Sequence, residues 1–124
     1  MAETVYTKTA PDAIGPYSRA KVVGRLVFTS GQIAINPATG NVEAATIEDQ
    51  THQVCKNLSE VLKAAGTSID KAVKTVCFLK NMSDFASFNG VYGEYFTSKP
   101  ARSCVAVKEL PKDVLVEVEV IAEV

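Results

Sequence analysis

Residues 100–122, PARSCVAVKELPKDVLVEVEVIA, decide how this chain folds. Pro100 resets the backbone, and 101–107 then reads as a strand. The segment 110–113, Leu-Pro-Lys-Asp, turns the chain into a second strand over 115–122. That strand alternates strictly: Val116, Val118, Val120 and Ala122 share one face, and Leu115, Glu117, Glu119, Ile121 and Glu123 share the other. Folding the two strands about the turn predicts a hairpin with Cys104 near Glu117 and Arg102 near Glu119, Glu117 lying on the diagonal. A slip of one residue would exchange the faces. In the first strand Arg102 and Cys104 point one way, Ser103 and Val105 the other. A guanidinium is rarely buried without a partner and grips carboxylates with a fixed fork of donors. Arg102 therefore either closes an internal salt bridge or waits for an anionic ligand. The hairpin register gathers a cation, a carboxylate and a thiol on one patch. Such a patch suits a small anion that needs proton transfer or an oriented water, and equally a closed ion pair.

Outward from this block, the chain reads β-β-β-α-β-α-β-β. A short strand is expected at 4–8, followed by a turn-rich piece at 10–16. Residues 17–23 and 26–30 form a hairpin about Gly24-Arg25. Asn36-Pro37-Ala38-Thr39-Gly40 is a loop. Residues 46–65 give the clearest helix: Thr46 is a good N-cap, Glu48 and Asp49 suit the first turn, and Gly66 is the expected stop. Ile47, Val54, Leu58, Val61, Leu62 and Ala65 fall on one face of it. Residues 74–79, KTVCFL, read as a buried strand. Ser83 is expected to cap a second helix with an aromatic face of Phe85, Phe88, Tyr92, Tyr95 and Phe96. Gly90 and Gly93 within it imply close packing against a sheet, since each costs a helix about 1 kcal/mol relative to alanine. Helices mixed with hairpins predict one α+β domain spanning 1–124, with two helices on one face of a mainly antiparallel sheet. The other face must be solvated or covered by another subunit, and the apolar strands favour association.

Composition bounds the rest. The chain has 124 residues, enough for one core, with 47% hydrophobic residues and a net charge of −1. That balance gives no electrostatic footprint for nucleic acid. No stretch approaches the roughly 20 apolar residues of a membrane span. The N-terminal stretch has neither a secretory core nor an Arg-rich amphipathic pattern. Cys55, Cys77 and Cys104 are odd in number and widely spaced, which argues for free thiols in a reducing compartment: the cytoplasm, with the mitochondrial matrix as the alternative.

Other candidate residues carry less. His52 is the sole histidine and falls off the apolar face of its helix, so Ser-His and Cys-His catalysis and a His-rich metal site are removed. There is no GxGxxG and no P-loop. The Ser30-Gly31-Gln32 turn could offer backbone N–H groups to an oxyanion or simply end a strand. Tyr17 beside Gly15-Pro16 reads as an edge tyrosine or a ligand contact. Cys104 reads as a buried thiol or a nucleophile without a histidine base. Asn89 lies on the flank of the aromatic helix.

Four stretches together resemble the RidA/YjgF family of imine and enamine deaminases: GPYSRA (15–20), FTSGQI (28–33), DFASFNGVY (84–92) and, above all, 100–122. The resemblance spans essentially the whole chain. It implies a chorismate-mutase-like, ferredoxin-related α+β homotrimer with clefts between neighbouring subunits. It implies hydrolysis of 2-imino acids, formed from 2-aminoacrylate and 2-aminocrotonate, to 2-keto acids and ammonia, with no cofactor or metal. The alternatives are a non-catalytic small-acid-binding regulatory module and an RNA-acting translation inhibitor, the latter disfavoured by the lack of a basic patch. In that likeness Arg102 matches the arginine that holds the substrate carboxylate, Glu117 the glutamate that positions or activates water, and Cys104 a pocket cysteine. Tyr17, Ser30, Gly31, Phe85 and Asn89 match positions near the ligand. The sequence departs from the family pattern at none of them.

Overall fold

The alternation in the last strand is what the sheet is built on. The structure, a computed structural model, describes residues 2–124. Its strands are β1 (Glu3–Val5), β2 (Ala20–Val23), β3 (Leu26–Thr29), β4 (Ala72–Leu79), β5 (Ala101–Ala106) and β6 (Val116–Glu123); its helices are α1 (Ile47–Ala64) and α2 (Phe85–Tyr95). They form one six-stranded sheet in the order β1-β2-β3-β6-β4-β5. Every pairing is antiparallel except β4–β5.

β6 lies at the centre, between β3 and β4. Val116, Val118, Val120 and Ala122 are buried under the helices. They meet Val54, Leu58, Val61 and Leu62 of α1 and Phe88, Tyr92 and Phe96 from α2 and its end in one core. Burying a side chain of this size is worth about 1.5–3 kcal/mol, so this layer dominates stability. α1 begins where expected: the Thr46 hydroxyl accepts from the Asp49 N–H at 3.1 Å. Gly24, at the β2–β3 turn, has φ +58° and Gly66, past α1, has φ +86°, conformations that glycine adopts without strain.

Several expectations are corrected. β5 and β6 do not form a hairpin. β5 pairs in parallel with β4 (Thr75↔Arg102, Cys77↔Cys104), and β6 pairs with the other edge of β4 (Phe78↔Glu117, Val76↔Glu119). The connection β4–α2–β5 is a parallel crossover, and a helix between two strands is the form such a connection needs. Ser83 does not cap α2: a 3-10 turn, Met82–Asp84, leads in, and no side chain caps the helix. Gly90 and Gly93 pack against nothing, because a Cβ at either would meet no atom within 4 Å. The first strand is Glu3–Val5 rather than 4–8, and β2 starts at Ala20, leaving Tyr17 in the preceding loop.

The sheet's second face carries Phe28, Val76, Phe78, Val105 and Ile121 together with Glu117, Glu119 and Lys74. Phe28 is 39% exposed and Val105 48%. No element of the described chain covers this face.

Candidate functional site

Arg102 sits on the edge strand β5 and shares a face with its register partner Thr75, which is fully buried and bonded to Tyr92. The guanidinium therefore lies on the helix side of the sheet, beneath α2. One Nη donates to Asn89 Oδ1 at 2.7 Å. The guanidinium carbon lies 4.8 Å from the Tyr92 ring centre, 5.4 Å from Phe85 and 5.9 Å from Phe88. Such faces attract a cation but leave its N–H fork unfilled. Among the described residues no carboxylate pairs with Arg102. The side chain is half-buried and borders a surface recess with Gly93, Thr97, Lys99 and Pro100. Of the two readings of Arg102, the closed salt bridge is not realised within this chain.

Cys104, two residues on, shares that face and is half-buried against the core. Burial raises its thiol pKa and the Arg102 charge opposes the rise. The net direction disfavours the thiolate.

Glu117 stands elsewhere. It is on β6 but on the opposite face of the sheet, and β4 separates the two strands. Its carboxylate lies directly over Gly31: an ideal Cβ there would be 2.2 Å from Oε2 and 2.8 Å from Cδ. Glycine is needed at 31 for this close approach rather than for an unusual φ. Burial raises the Glu117 pKa, and the neighbouring Glu119 charge raises it further. A carboxyl whose pKa is raised holds a proton more readily than an ordinary glutamate and can still return it.

The Glu117 recess is walled by Pro11, Asp12, Ala13, Ile14, Tyr17 and Gln32, among others. The Tyr17 hydroxyl accepts from the Ile14 N–H at 3.3 Å. Ser30 spends its hydroxyl on the Ser18 carbonyl at 2.6 Å and its N–H on the Arg19 carbonyl at 2.8 Å, which fixes the turn leading to Gly31. Ser30 therefore supports the site through Gly31 and offers no free N–H to an oxyanion.

The expected residues thus divide into two half-sites. Arg102 and Cys104 lie under α2, which carries Phe85 and Asn89; Glu117, Gly31, Ser30 and Tyr17 lie on or beside the open face. Within one chain the patch expected from a hairpin register is not formed, because each strand's pairing with β4 sets its side chains' faces. The sequence reading also passed over Arg19, which is 6% exposed and lines the Glu117 recess. A charged residue directly before the buried Ala20 that opens β2 was the available signal. His52 is not free in solvent: its Nδ1 is 2.9 Å from the Tyr95 hydroxyl. Among the described residues no group of three or more His, Cys, Asp or Glu could hold a metal, and no helix is long and apolar enough to cross a membrane.

A family model described as Endoribonuclease L-PSP matches residues 7–124. A RutC family protein of Pyrococcus horikoshii is 50% identical over 123 residues, covering 98% of each chain. The chain belongs to the RidA/YjgF family. Another relative, 44% identical over 126 residues and covering 98% of each chain, is the 2-iminobutanoate/2-iminopropanoate deaminase of Escherichia coli. Among solved structures, that of E. coli TdcF with bound serine superposes with a TM-score of 0.94 at 40% identity, covering 98% of each chain. The RidA/YjgF fold is therefore shared, while the names within the family differ from relative to relative.

Proposed function

We propose that the protein hydrolyses small 2-imino acids, the tautomers of 2-aminoacrylate and 2-aminocrotonate, to 2-keto acids and ammonia, as a homotrimer with its sites between subunits. The observation that carries this is the half-buried Arg102 guanidinium, bonded to Asn89 but paired with no carboxylate among the described residues, on one face of the sheet, with the Glu117 carboxyl seated over Gly31 on the other. Neither half-site is sufficient alone. A second copy laid on the open apolar face would bring its own Arg102 side to Glu117, and so complete a site that one chain leaves divided. The apolar residues of that face support such a contact. The free cysteines are in keeping with a reducing compartment, for which we propose the cytoplasm.

The chemistry asks little of the protein. Arg102 grips the substrate carboxylate bidentately and fixes the imine carbon. Water attacks that carbon while one of its protons passes to Glu117, and the C=N pair moves to nitrogen. Glu117 gives the proton to the amino nitrogen. The hydroxyl proton of the carbinolamine then returns to Glu117 as the C–N bond breaks, the C=O bond forms, and ammonia leaves with the proton as ammonium. The protonated imine is already electrophilic, so orientation and one proton relay account for the role of each residue.

The test is a coupled assay. A threonine dehydratase generates 2-aminocrotonate, and 2-oxobutanoate is followed optically with and without the protein. Faster keto-acid release is expected; a rate equal to spontaneous hydrolysis overturns the reading. Binding of 2-oxobutanoate without turnover would instead identify a small-acid-binding module. The RNA-cleaving reading carried by the family model's description fits less well, since 13 Lys and Arg against 14 Asp and Glu give no excess of cations to track phosphates.

A further inference from the structure

The wall of the Glu117 recess is a loop, residues 11–17, that belongs to no helix or strand. A loop holds a fixed shape only where its backbone and side chains are tied down. Here a buried cation does the tying. The Arg19 Nε donates to the Pro11 carbonyl at 2.8 Å, and Nη2 bonds the Asp12 carboxylate. The guanidinium carbon sits 4.9 Å from the Tyr6 ring centre. All three contacts go to one segment, Tyr6 to Asp12. The Arg19 carbonyl meanwhile accepts from the Ser30 N–H, next to Gly31. Arg19 thus joins the recess wall to the turn that seats the Glu117 carboxylate.

We infer that Arg19 is a positioning residue, whose clasp on Pro11 and Asp12 holds Ala13, Ile14 and Tyr17 where they confine the substrate beside Glu117. The inference rests on the imine-hydrolase reading for its kinetic consequence alone. Arg19 touches no reacting atom, so its loss loosens the recess without altering the proton relay. A planar fork is required, because a lysine could reach the carbonyl or the carboxylate but could not span both in one plane.

The test compares Arg19→Gln, Arg19→Lys and Asp12→Asn with the parent, by amide exchange and by kinetics. Asp12 has an 89% exposed side chain, so its substitution spares the core and keeps the test open if Arg19→Gln unfolds. Amides at 7–14 should exchange about tenfold faster in Arg19→Gln, and detectably faster in Asp12→Asn, with β3 and β6 unchanged. KM for the imine should rise about fivefold in Arg19→Gln with kcat within about twofold, Arg19→Lys falling between. Parent-like exchange at 7–14 in Asp12→Asn overturns the clasp, whether or not the parent turns over imine. An active parent whose variants exchange faster but keep its KM, or lose kcat alone, overturns the positioning role. A parent that turns over no imine fails the enzymatic reading, and the kinetic consequence with it, while exchange still reads the clasp.

Discussion

Gly31→Ala tests the Glu117 half-site without altering its carboxylate. The added methyl carbon would lie 2.2 Å from Oε2, 2.8 Å from Cδ and 3.0 Å from Cγ of Glu117. Ordinary contact begins near 3.4 Å, so the nearest oxygen must retreat by about 1.2 Å. It can do so, because the obstacle is the end of a flexible side chain rather than backbone. A ~30° departure from a rotamer costs about 0.5–1.5 kcal/mol, and replacing glycine returns about 0.4–1 kcal/mol through the unfolded chain. Stability should therefore change by less than about 1 kcal/mol. Catalysis should not be spared, since a misplacement of about 1 Å costs on the order of 100-fold. The assay is imine hydrolysis coupled to threonine dehydratase, with thermal melts on the same preparations. Gly90→Ala is the matched control: it lies in α2 with nothing within 4 Å, so it should stabilise by about 0.5–1 kcal/mol and leave the rate unchanged. A folded Gly31→Ala protein with the parent's rate would refute the placement of Glu117 in the chemistry.

Further outcomes follow from the same geometry. Arg102→Ala should abolish imine hydrolysis while the assembly stays folded, and Asn89→Ala, which frees the bonded Nη, should chiefly raise KM; steady-state kinetics and size-exclusion chromatography read both. Glu117→Gln should retain 2-oxobutanoate binding by calorimetry but lose about 10²–10⁴ in kcat. Because burial and then Glu119 raise the Glu117 pKa, parent activity should fall with acid at a pH above the ordinary carboxylate range. The stability sign is opposite. A raised folded pKa favours the fold below the unfolded pKa and loses that contribution as pH rises through the folded one, so Glu117→Gln should melt higher than the parent at neutral pH, the gap closing as pH drops. Burial pushes the Cys55 and Cys77 thiols up to about 12, so iodoacetamide at pH 8 should label at most Cys104 in the native protein by mass spectrometry.

The parts legible in the sequence are those set by local chemistry. Thr46, the periodicity from Ile47 to Leu62, and Gly66 specify α1, and Gly24 specifies the β2–β3 turn. The alternation of β6 identified its buried valines correctly, because a central strand's inner face must be apolar. Which strands neighbour β6 was not legible. The segment 110–113 reads as a turn between partners, yet the strands on either side of it go to opposite edges of β4, and non-local pairing leaves no mark within either strand. The strand-helix-strand order of β4, α2 and β5 did carry the signal for a parallel pair. That error moved Arg102 and Glu117 onto one face, whereas the pairings with β4 set them on opposite faces of the sheet. The seat of Glu117 on Gly31, some 86 residues apart in the chain, and the burial of Arg19 are likewise tertiary facts.

Mixing two inactive proteins tests the divided site most directly. Arg102→Ala and Glu117→Gln subunits, co-expressed and purified as mixed assemblies, each supply the residue that the other lacks. If a site takes Arg102 from one copy and Glu117 from its neighbour, each mixed trimer should hold one intact site, giving about a third of the parent's activity, read as keto-acid release. If both residues act within one chain, no mixture can hold an intact pair, and assemblies as inactive as either variant alone would contradict the inter-subunit site.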